Sequence, residues 1–178
     1  GATVIDEERS KSIIGLPVCH VPNILIENST DLQVEKYITP YLNGQINACF
    51  AQTEPSAGSD MANMMSTRAI KDGDYWILDG TKAYISGAGT ADFMMLQAVT
   101  DPEKMSNGGI TMFLVDRDQP GVSTAPLQTW ITPNGKHYFV YLEDVRIHSN
   151  QILGQLGNGY FLGQRWLDFH HRTRSSLS

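Results

Sequence analysis

The residues with the clearest chemical potential form a short stretch, residues 49–60, with the sequence CFAQTEPSAGSD. A strand-like apolar start is followed by Thr53, whose hydroxyl can donate or accept a hydrogen bond. Pro55 has no N–H and ends strand pairing, and Gly58 lets the backbone approach a ligand closely. The loop therefore offers hydroxyls and backbone donors in place of bulky side chains. A ligand-binding loop and an ordinary polar turn, capped locally by Asp60 or Ser59, are both compatible with this composition.

A second polar segment, residues 82–89 with the sequence KAYISGAG, combines an aromatic ring with a hydroxyl group. Tyr84 can stack on a flat ligand, and Ser86 can form a hydrogen bond to one. The same residues also fit a plain strand, with Tyr84 and Ile85 on opposite faces and Ser86 opening a turn. We expect Lys82, which follows a predicted hairpin turn, to be a solvated hairpin residue rather than a ligand contact.

The sequence predicts no metal site. His170 and His171 are adjacent, so on a helix their side chains point about 100° apart, and no third ligand is close in sequence. The two cysteines, Cys19 and Cys49, are too few for a disulfide scaffold and lack the spacing of a zinc site. We therefore expect a reducing compartment.

Composition argues against two classes of partner. The 178 residues carry a formal net charge of -6 with a pI near 5.2, and they contain no basic run. Such a chain is a poor candidate for binding nucleic acid or anionic membranes. No window approaches the ~20 apolar residues of a membrane span, so we predict a soluble protein. Hydrophobic residues make up 41% of the chain, which is enough for a packed core.

Helical patterns flank a β-rich middle region. Apolar residues recur at helical spacing in residues 29–44, where Ser29 or Thr30 can cap the start and Pro40 can kink the last turn. Asn158 can cap a final helix with an apolar face, and the sequence shows no later element against which that face would pack. This incomplete pattern indicates a piece of a larger protein.

Between these helices, short apolar runs alternate with turn signals. Two Asp-Gly steps, Asp72-Gly73 and Asp79-Gly80, each predict a β-hairpin turn. Further apolar runs are DFMMLQAV, ITMFLVD and KHYFVYLEDV. Roughly six to eight short strands at this spacing predict a small antiparallel β-barrel or sandwich. The predicted fold class is therefore α+β, a β domain flanked by helices.

Several motifs, in order along the chain, resemble signatures of the acyl-CoA dehydrogenase family. CFAQTEPSAGSD resembles the first signature, in which an aromatic residue precedes Thr-Glu-Pro, and LDGTKAYISGAG resembles the next one. TMFLVDRDQPGV resembles the Phe-Leu-Val and Pro-Gly strand pair, and LEDVRIHSNQILGQLGNGYFLGQRWLD resembles the passage into the first C-terminal helix. The resemblance extends over about residues 20–171.

The resemblance implies a middle β domain of a three-part flavoprotein. Residues 1–45 would end the N-terminal helical domain, residues 46–153 would form the β-barrel domain that binds FAD and acyl-CoA, and residues 154–178 would begin a truncated C-terminal helical domain. In the family, a carboxylate base removes the α-proton of an acyl-CoA thioester, and hydride leaves the β-carbon for flavin N5. That base is expected beyond Ser178, so no catalytic residue is assigned within the chain.

The resemblance also assigns ligand contacts. The cofactor-binding residues would be Phe50, Gln52, Thr53, Tyr84, Ile85 and Ser86, and the substrate-binding residues would be Ser59 and Asp168. Tyr84 stands where the family has a Trp that packs against the flavin, and Ser86 stands where it has a Thr whose hydroxyl reaches N5. Thr53 would lie at the pyrimidine edge of the ring.

Partners and alternatives follow from the same resemblance. An electron acceptor such as an electron-transfer flavoprotein is expected, as are a homo-oligomeric full-length form and a location in the cytoplasm or the mitochondrial matrix. One alternative keeps the fold and changes the chemistry, to an acyl-CoA oxidase, a nitroalkane oxidase or a flavin monooxygenase. The other alternative is a non-catalytic binding or assembly module of the same fold.

Overall fold

The computed structural model describes residues 23–128 and 137–175, and within them the side chains of residues 24–168. The sequence TPNGK at residues 132–136, which also predicts a turn, lies outside the described residues, as does Cys19. The helices are α1 (Asn23–Asn28), α2 (Asp31–Gln33), α3 (Thr39–Leu42), α4 (Met61–Met64) and α5 (Gly159–Ser175). A π-helical segment, Val34–Ile38, joins α2 to α3 without interruption.

The predicted helix over residues 29–44 is confirmed, and its start is set by Thr30. The Thr30 hydroxyl accepts a hydrogen bond from the N–H of Gln33, and the Gln33 side chain accepts one from the N–H of Thr30. This reciprocal pair satisfies two N–H groups that a helix start leaves without partners. The kink expected at Pro40 takes the form of the π-helical segment just before it, where the Thr39 N–H bonds to the Val34 carbonyl.

Seven strands form one curved, mixed sheet that curls into a half-barrel. They are β1 (Ala48–Ala51), β2 (Arg68–Asp72), β3 (Tyr75–Ser86), β4 (Phe93–Val99), β5 (Ile110–Asp116), β6 (Val122–Leu127) and β7 (His137–His148). Their order is β1-β4-β2-β3-β7-β6, and β5 pairs with β4. The predicted β domain with flanking helices is confirmed. Most pairings are antiparallel as expected, whereas β4 runs parallel to β1 and to β2.

The two Asp-Gly steps have different outcomes. Asp72 pairs with Tyr75 across a tight turn, so the first step does mark the β2–β3 hairpin. The second prediction is wrong, because Asp79 and Gly80 lie inside β3, where the register with β7 shifts. Gly80 has φ +147, and a Cβ there would collide with the Thr67 backbone. The glycine is needed for a bulge and a close backbone contact rather than for a turn.

The sheet is buried on both faces along its centre. In β4, Met94 and Leu96 face one apolar cluster, while Phe93 and Met95 face the other. The second cluster also contains Leu162 of α5, so the apolar face of the last helix packs on the sheet. Its contacts come from β4, β5 and α1, which all precede it in the chain.

Candidate functional site

The two polar segments singled out by sequence meet at one corner of the sheet. The chain leaving β1 runs beside β3, and the Ala83 N–H donates to the Thr53 carbonyl over 2.8 Å. One residue earlier, the Lys82 ammonium donates to the Gln52 carbonyl over 3.2 Å. Thr53 is therefore fixed against the strand that continues directly into Tyr84 and Ser86. The two segments belong to one site rather than to opposite sides of the domain.

A bulge in β3 directs Tyr84 outward. The register with β7 shifts between Lys82 and Ile85, and Tyr84 adopts φ 60, a left-handed conformation that is unfavourable for a bulky residue. Its side chain is 58% exposed, although the residues on both sides of it are buried. Strained backbone of this kind persists only where the surrounding structure enforces it, and it is concentrated at functional sites.

Ser86, at the end of β3, has a partner that the sequence did not suggest. Its Oγ lies 3.0 Å from Nδ1 of His137, the residue paired with it at the start of β7. The hydroxyl is exposed, so it retains capacity for a second hydrogen bond. His137 therefore restricts the direction in which the Ser86 hydroxyl points.

A buried ion pair lies beneath the corner. The Lys82 ammonium contacts Glu54 Oε1 at 2.8 Å, and both side chains have zero exposure. The other Glu54 oxygen accepts hydrogen bonds from the Ser66 N–H and hydroxyl, and the Thr67 N–H donates to Oε1. The expectation that Lys82 is solvated is wrong, because the β3 bulge keeps both Lys82 and Ala83 on the buried side.

The electrostatics keep this pair ionised at neutral pH. Burial alone would raise the pKa of Glu54, but the Lys82 charge and the donors from Ser66 and Thr67 outweigh burial and lower the pKa to about 2. Burial lowers the pKa of Lys82 to about 8, and Glu54 opposes that shift. Both groups consequently carry their charge in the interior of the protein.

Helix α5 closes one side of the corner. The rings of Phe50 and Trp166 stack with centroids 4.4 Å apart and planes inclined by 20°. Gly163 lies against the Gln97 amide, and a side chain at that position would collide with it. Arg165 also pairs with Glu27 of α1 at 2.9 Å, which fixes α5 to the N-terminal helix.

The other predicted site residues occupy different environments. Ile85 is buried in the apolar cluster beneath the sheet, and it pairs with Tyr138 of β7. Gln52 is also buried, and its Nε2 donor has no hydrogen-bond partner among the described residues. Ser59 is exposed in the turn before α4, and Asp168 is exposed on α5, two residues beyond Trp166.

Two kinds of feature are absent from the described residues. Within residues 23–128 and 137–175, no helix is long and apolar enough to cross a membrane. The same residues contain no group of three or more His, Cys, Asp or Glu side chains arranged to hold a metal ion. The side chains of His170 and His171 lie outside the described set.

Comparison with known proteins gives the class of protein. The family model described as "Acyl-CoA dehydrogenase, middle domain" matches residues 49–145, which include both polar segments of the corner. The chain belongs to the acyl-CoA dehydrogenase family, whose members are FAD-dependent oxidoreductases.

Individual relatives agree with this assignment. The chain is 37% identical to the 3-(aryl)acrylate reductase of Clostridium sporogenes, over 93% of this chain and 45% of the relative. It is 36% identical to the caffeyl-CoA reductase-Etf complex subunit CarC of Acetobacterium woodii, over 81% of this chain and 38% of the relative. Its fold matches the crystal structure of acyl-CoA dehydrogenase from Geobacillus kaustophilus with a TM-score of 0.82 and 31% identity, over 93% and 45% of the two chains. The chain thus spans less than half the length of these relatives.

Sequence reasoning missed three features of the corner. They are the Glu54–Lys82 pair, the Ser86–His137 contact and the Phe50–Trp166 stack. For the Glu54–Lys82 pair, the only signal was one acidic and one basic residue in two segments that otherwise carry little charge. Nothing in the sequence marked the other two, because their partners are 51 residues apart in one case and lie on different elements in the other.

Proposed function

We propose that the protein binds FAD at the corner formed by residues 52–54 and 82–86 and acts as an oxidoreductase on an acyl thioester. The observation that carries this proposal is the pair of hydrogen bonds from Lys82 and Ala83 to Gln52 and Thr53. These bonds bring a hydroxyl-rich loop and an outward-facing aromatic ring together at one site.

The polar groups at the corner suit the edge of an isoalloxazine ring. Among the described residues, neither the Thr53 N–H nor Gln52 Nε2 has a hydrogen-bond partner. Unpaired donors beside a buried corner are costly unless a ligand accepts from them, and the pyrimidine edge of a flavin carries acceptor atoms. The residues present therefore fit FAD.

Each residue would have a distinct task. Thr53 would donate to the pyrimidine edge through its N–H and hydroxyl, and the exposed Tyr84 ring would cover one face of the flavin. Ser86, oriented by His137, would hold its hydroxyl near N5. Phe50, stacked on Trp166, would close the side next to α5. Bound FAD supplies the acceptor for the hydride that leaves the β-carbon of the substrate.

The substrate would extend from this corner. Ser59 and Asp168, which are both exposed, would contact the pantetheine or acyl part of acyl-CoA. Proton abstraction from the α-carbon needs a carboxylate base, which we place beyond Ser178. We further propose an electron-transfer flavoprotein as redox partner, a homo-oligomeric full-length form, and a location in the cytoplasm or the mitochondrial matrix. The name of the Acetobacterium relative, a subunit of a reductase-Etf complex, supports the redox partner.

The names of the relatives also favour a second candidate, which is reduction of a 2,3-unsaturated acid derivative. Two relatives above 35% identity are named as reductases, of a 3-(aryl)acrylate and of caffeyl-CoA. The same corner would serve both directions, because hydride exchange between the β-carbon and the flavin is reversible. The direction depends on the electron partner and on the substrate.

Visible absorption tests the proposal directly. We expect the protein, purified with whatever chain follows Ser178 in its natural gene, to show flavin absorbance bands or to acquire them when FAD is added. Thr53→Val together with Tyr84→Ala should weaken FAD binding at least about tenfold, since each removes about 1 kcal/mol or more of contact. The exposed Ile70→Ala, on β2, is the matched control and should bind FAD like the wild type.

Anaerobic mixing then separates the candidate reactions. Bleaching of the flavin by saturated acyl-CoA indicates dehydrogenation, whereas reoxidation of the reduced flavin by an aryl-acrylyl thioester indicates reduction. A colourless protein that also fails to bind added FAD contradicts the proposal and supports a non-catalytic binding module. A flavin-loaded protein that responds to neither substrate contradicts thioester chemistry but not FAD binding.

A further inference from the structure

We propose that Lys82 is a positioning residue that strengthens the Thr53 N–H as a hydrogen-bond donor and thereby favours the reduced form of bound FAD. The proposal rests on the proposed function, because it needs FAD at the corner. It assigns a role to a buried ammonium group that the ligand contacts themselves do not use.

The geometry places the ammonium on the far side of a single peptide group. The Gln52 carbonyl and the Thr53 N–H belong to the same peptide unit, and Lys82 Nζ donates to that carbonyl over 3.2 Å. A charged donor on the carbonyl pulls electron density from the N–H, and hydrogen bonds linked in a chain polarise one another. The Thr53 N–H is consequently a stronger donor than an ordinary backbone amide.

The surroundings preserve this effect. Lys82 has no exposed surface, so water does not screen its charge at the peptide. The Glu54 carboxylate contacts the ammonium through Oε1 and keeps it ionised, and its two oxygens also accept hydrogen bonds from Ser66 and Thr67. Of the two charged groups, the ammonium is the one that contacts the Gln52 carbonyl.

Stability alone does not explain why the Glu54–Lys82 ion pair is buried. A buried ion pair often contributes no more to folding than neutral or apolar side chains of similar volume, because desolvation offsets the attraction. Reduction of a flavin builds negative charge at its pyrimidine edge, where fixed donors stabilise the reduced form. A cation that is charged at neutral pH and lies one peptide unit from that edge supplies what a pair of uncharged side chains could not.

The test removes the charges while keeping both side chains polar. In protein kept loaded by excess FAD, Glu54→Gln with Lys82→Gln removes both charges, and both new side chains can still form hydrogen bonds. Its preference for reduced over oxidised FAD should fall about tenfold, which equals a midpoint potential lower by about 30 mV for two electrons. The potential is measured by reductive titration with a reference dye, independently of turnover. If this variant does not fold, Glu54→Gln with Lys82→Met carries the same test.

Two controls make the outcome specific. Lys36→Gln removes a cation from an exposed ion pair with Asp116 and should leave the potential unchanged. A wild-type potential in the folded, FAD-loaded double variant would overturn the role of Lys82 and leave the proposed function intact. A wild-type protein that binds no FAD would overturn both.

Discussion

The strand pairs β4–β5 and β3–β7 are built differently. β4 and β5 pair over seven consecutive positions without a register shift, and every residue of β4 is buried. β3 and β7 are longer, yet their register shifts twice, and Tyr84 and Asp144 have positive φ. The regular pair forms the centre of the core, whereas the irregular pair carries the candidate site.

The difference shows where the fold accepts unfavourable local structure. In β4–β5, most side chains are buried in the apolar clusters on the two faces, and the buried polar Gln97 and Thr111 form hydrogen bonds. In β3–β7, the bulges keep Lys82 inside and turn Tyr84 outward. The β4–β5 strand pair provides the stability that offsets the buried charges and the strained backbone of the β3–β7 strand pair. The following predictions test this division in order of decreasing effect.

Breaking the buried ion pair should have the largest effect on stability. Lys82→Met leaves Glu54 ionised without its cation, and we expect a loss of about 3–5 kcal/mol in the free energy of unfolding. The exposed pair offers a matched control, because Lys36→Gln should cost no more than about 1 kcal/mol. Denaturant unfolding measures both. A small loss for Lys82→Met would mean that the buried charges are not coupled as their contact distance indicates.

A cavity in the β4–β5 strand pair should lower the free energy of unfolding slightly less than Lys82→Met does. Leu96, at the middle of β4, is fully buried, and we expect Leu96→Ala to lower the free energy of unfolding by about 3 kcal/mol. Ile70→Ala on β2 is the comparison, since Ile70 is 65% exposed and should change stability by less than about 0.5 kcal/mol. Equal losses for the two variants would contradict the assignment of the core to β4–β5.

Acid should weaken the irregular region selectively. The pKa of Glu54 is about 2 in the folded protein against an ordinary value of 4.5, so Glu54 stabilises the fold fully above pH 4.5. That contribution is lost as the pH falls from 4.5 towards 2. We expect Glu54→Gln with Lys82→Met to show a flatter dependence of unfolding free energy on pH in this window. Parallel curves for variant and wild type would contradict the shifted pKa.

Relaxing the strained tyrosine should affect stability least. Tyr84→Gly removes the left-handed strain but adds chain entropy, so we expect a net change below about 1 kcal/mol. Ile77→Gly, at a regular position of the same strand, should cost at least about 1 kcal/mol, because it relieves no strain. The proposed function adds that Tyr84→Gly weakens FAD binding while Ile77→Gly spares it. Calorimetric unfolding with FAD titration measures both quantities.

The sequence predicted the periodic parts of the fold well. The cap at Thr30 and the continuous apolar runs of β4 and β5 were evident, since local hydrogen bonding and burial on both faces of a sheet leave short-range patterns. Strand β6 was not predicted, because its segment VSTAPL is polar, contains Pro126 and pairs only with β7. Edge strands of this kind lack the apolar alternation on which prediction depends.

The sequence predicted which residues form the candidate site but not the bulge and the contacts that position them. Thr53, Tyr84 and Ser86 were singled out from motif and residue type. The Asp79-Gly80 step was misinterpreted as a turn, because a bulge glycine and a turn glycine share the same backbone freedom. Whether a lysine after that step is solvated or buried depends on the bulge, so the error at Lys82 followed from the error at Gly80.

The sequence by itself determined the element types, the family signatures and the residue types at the site, because these follow from short-range spacing along the chain. The tertiary structure alone decided that Lys82 meets Glu54, that His137 holds Ser86 and that Trp166 stacks on Phe50. Each of these contacts joins residues far apart in sequence, and their geometry is set by the curvature and register of the sheet. No periodicity in the chain encodes such contacts, since they arise only when the packed elements bring the side chains together.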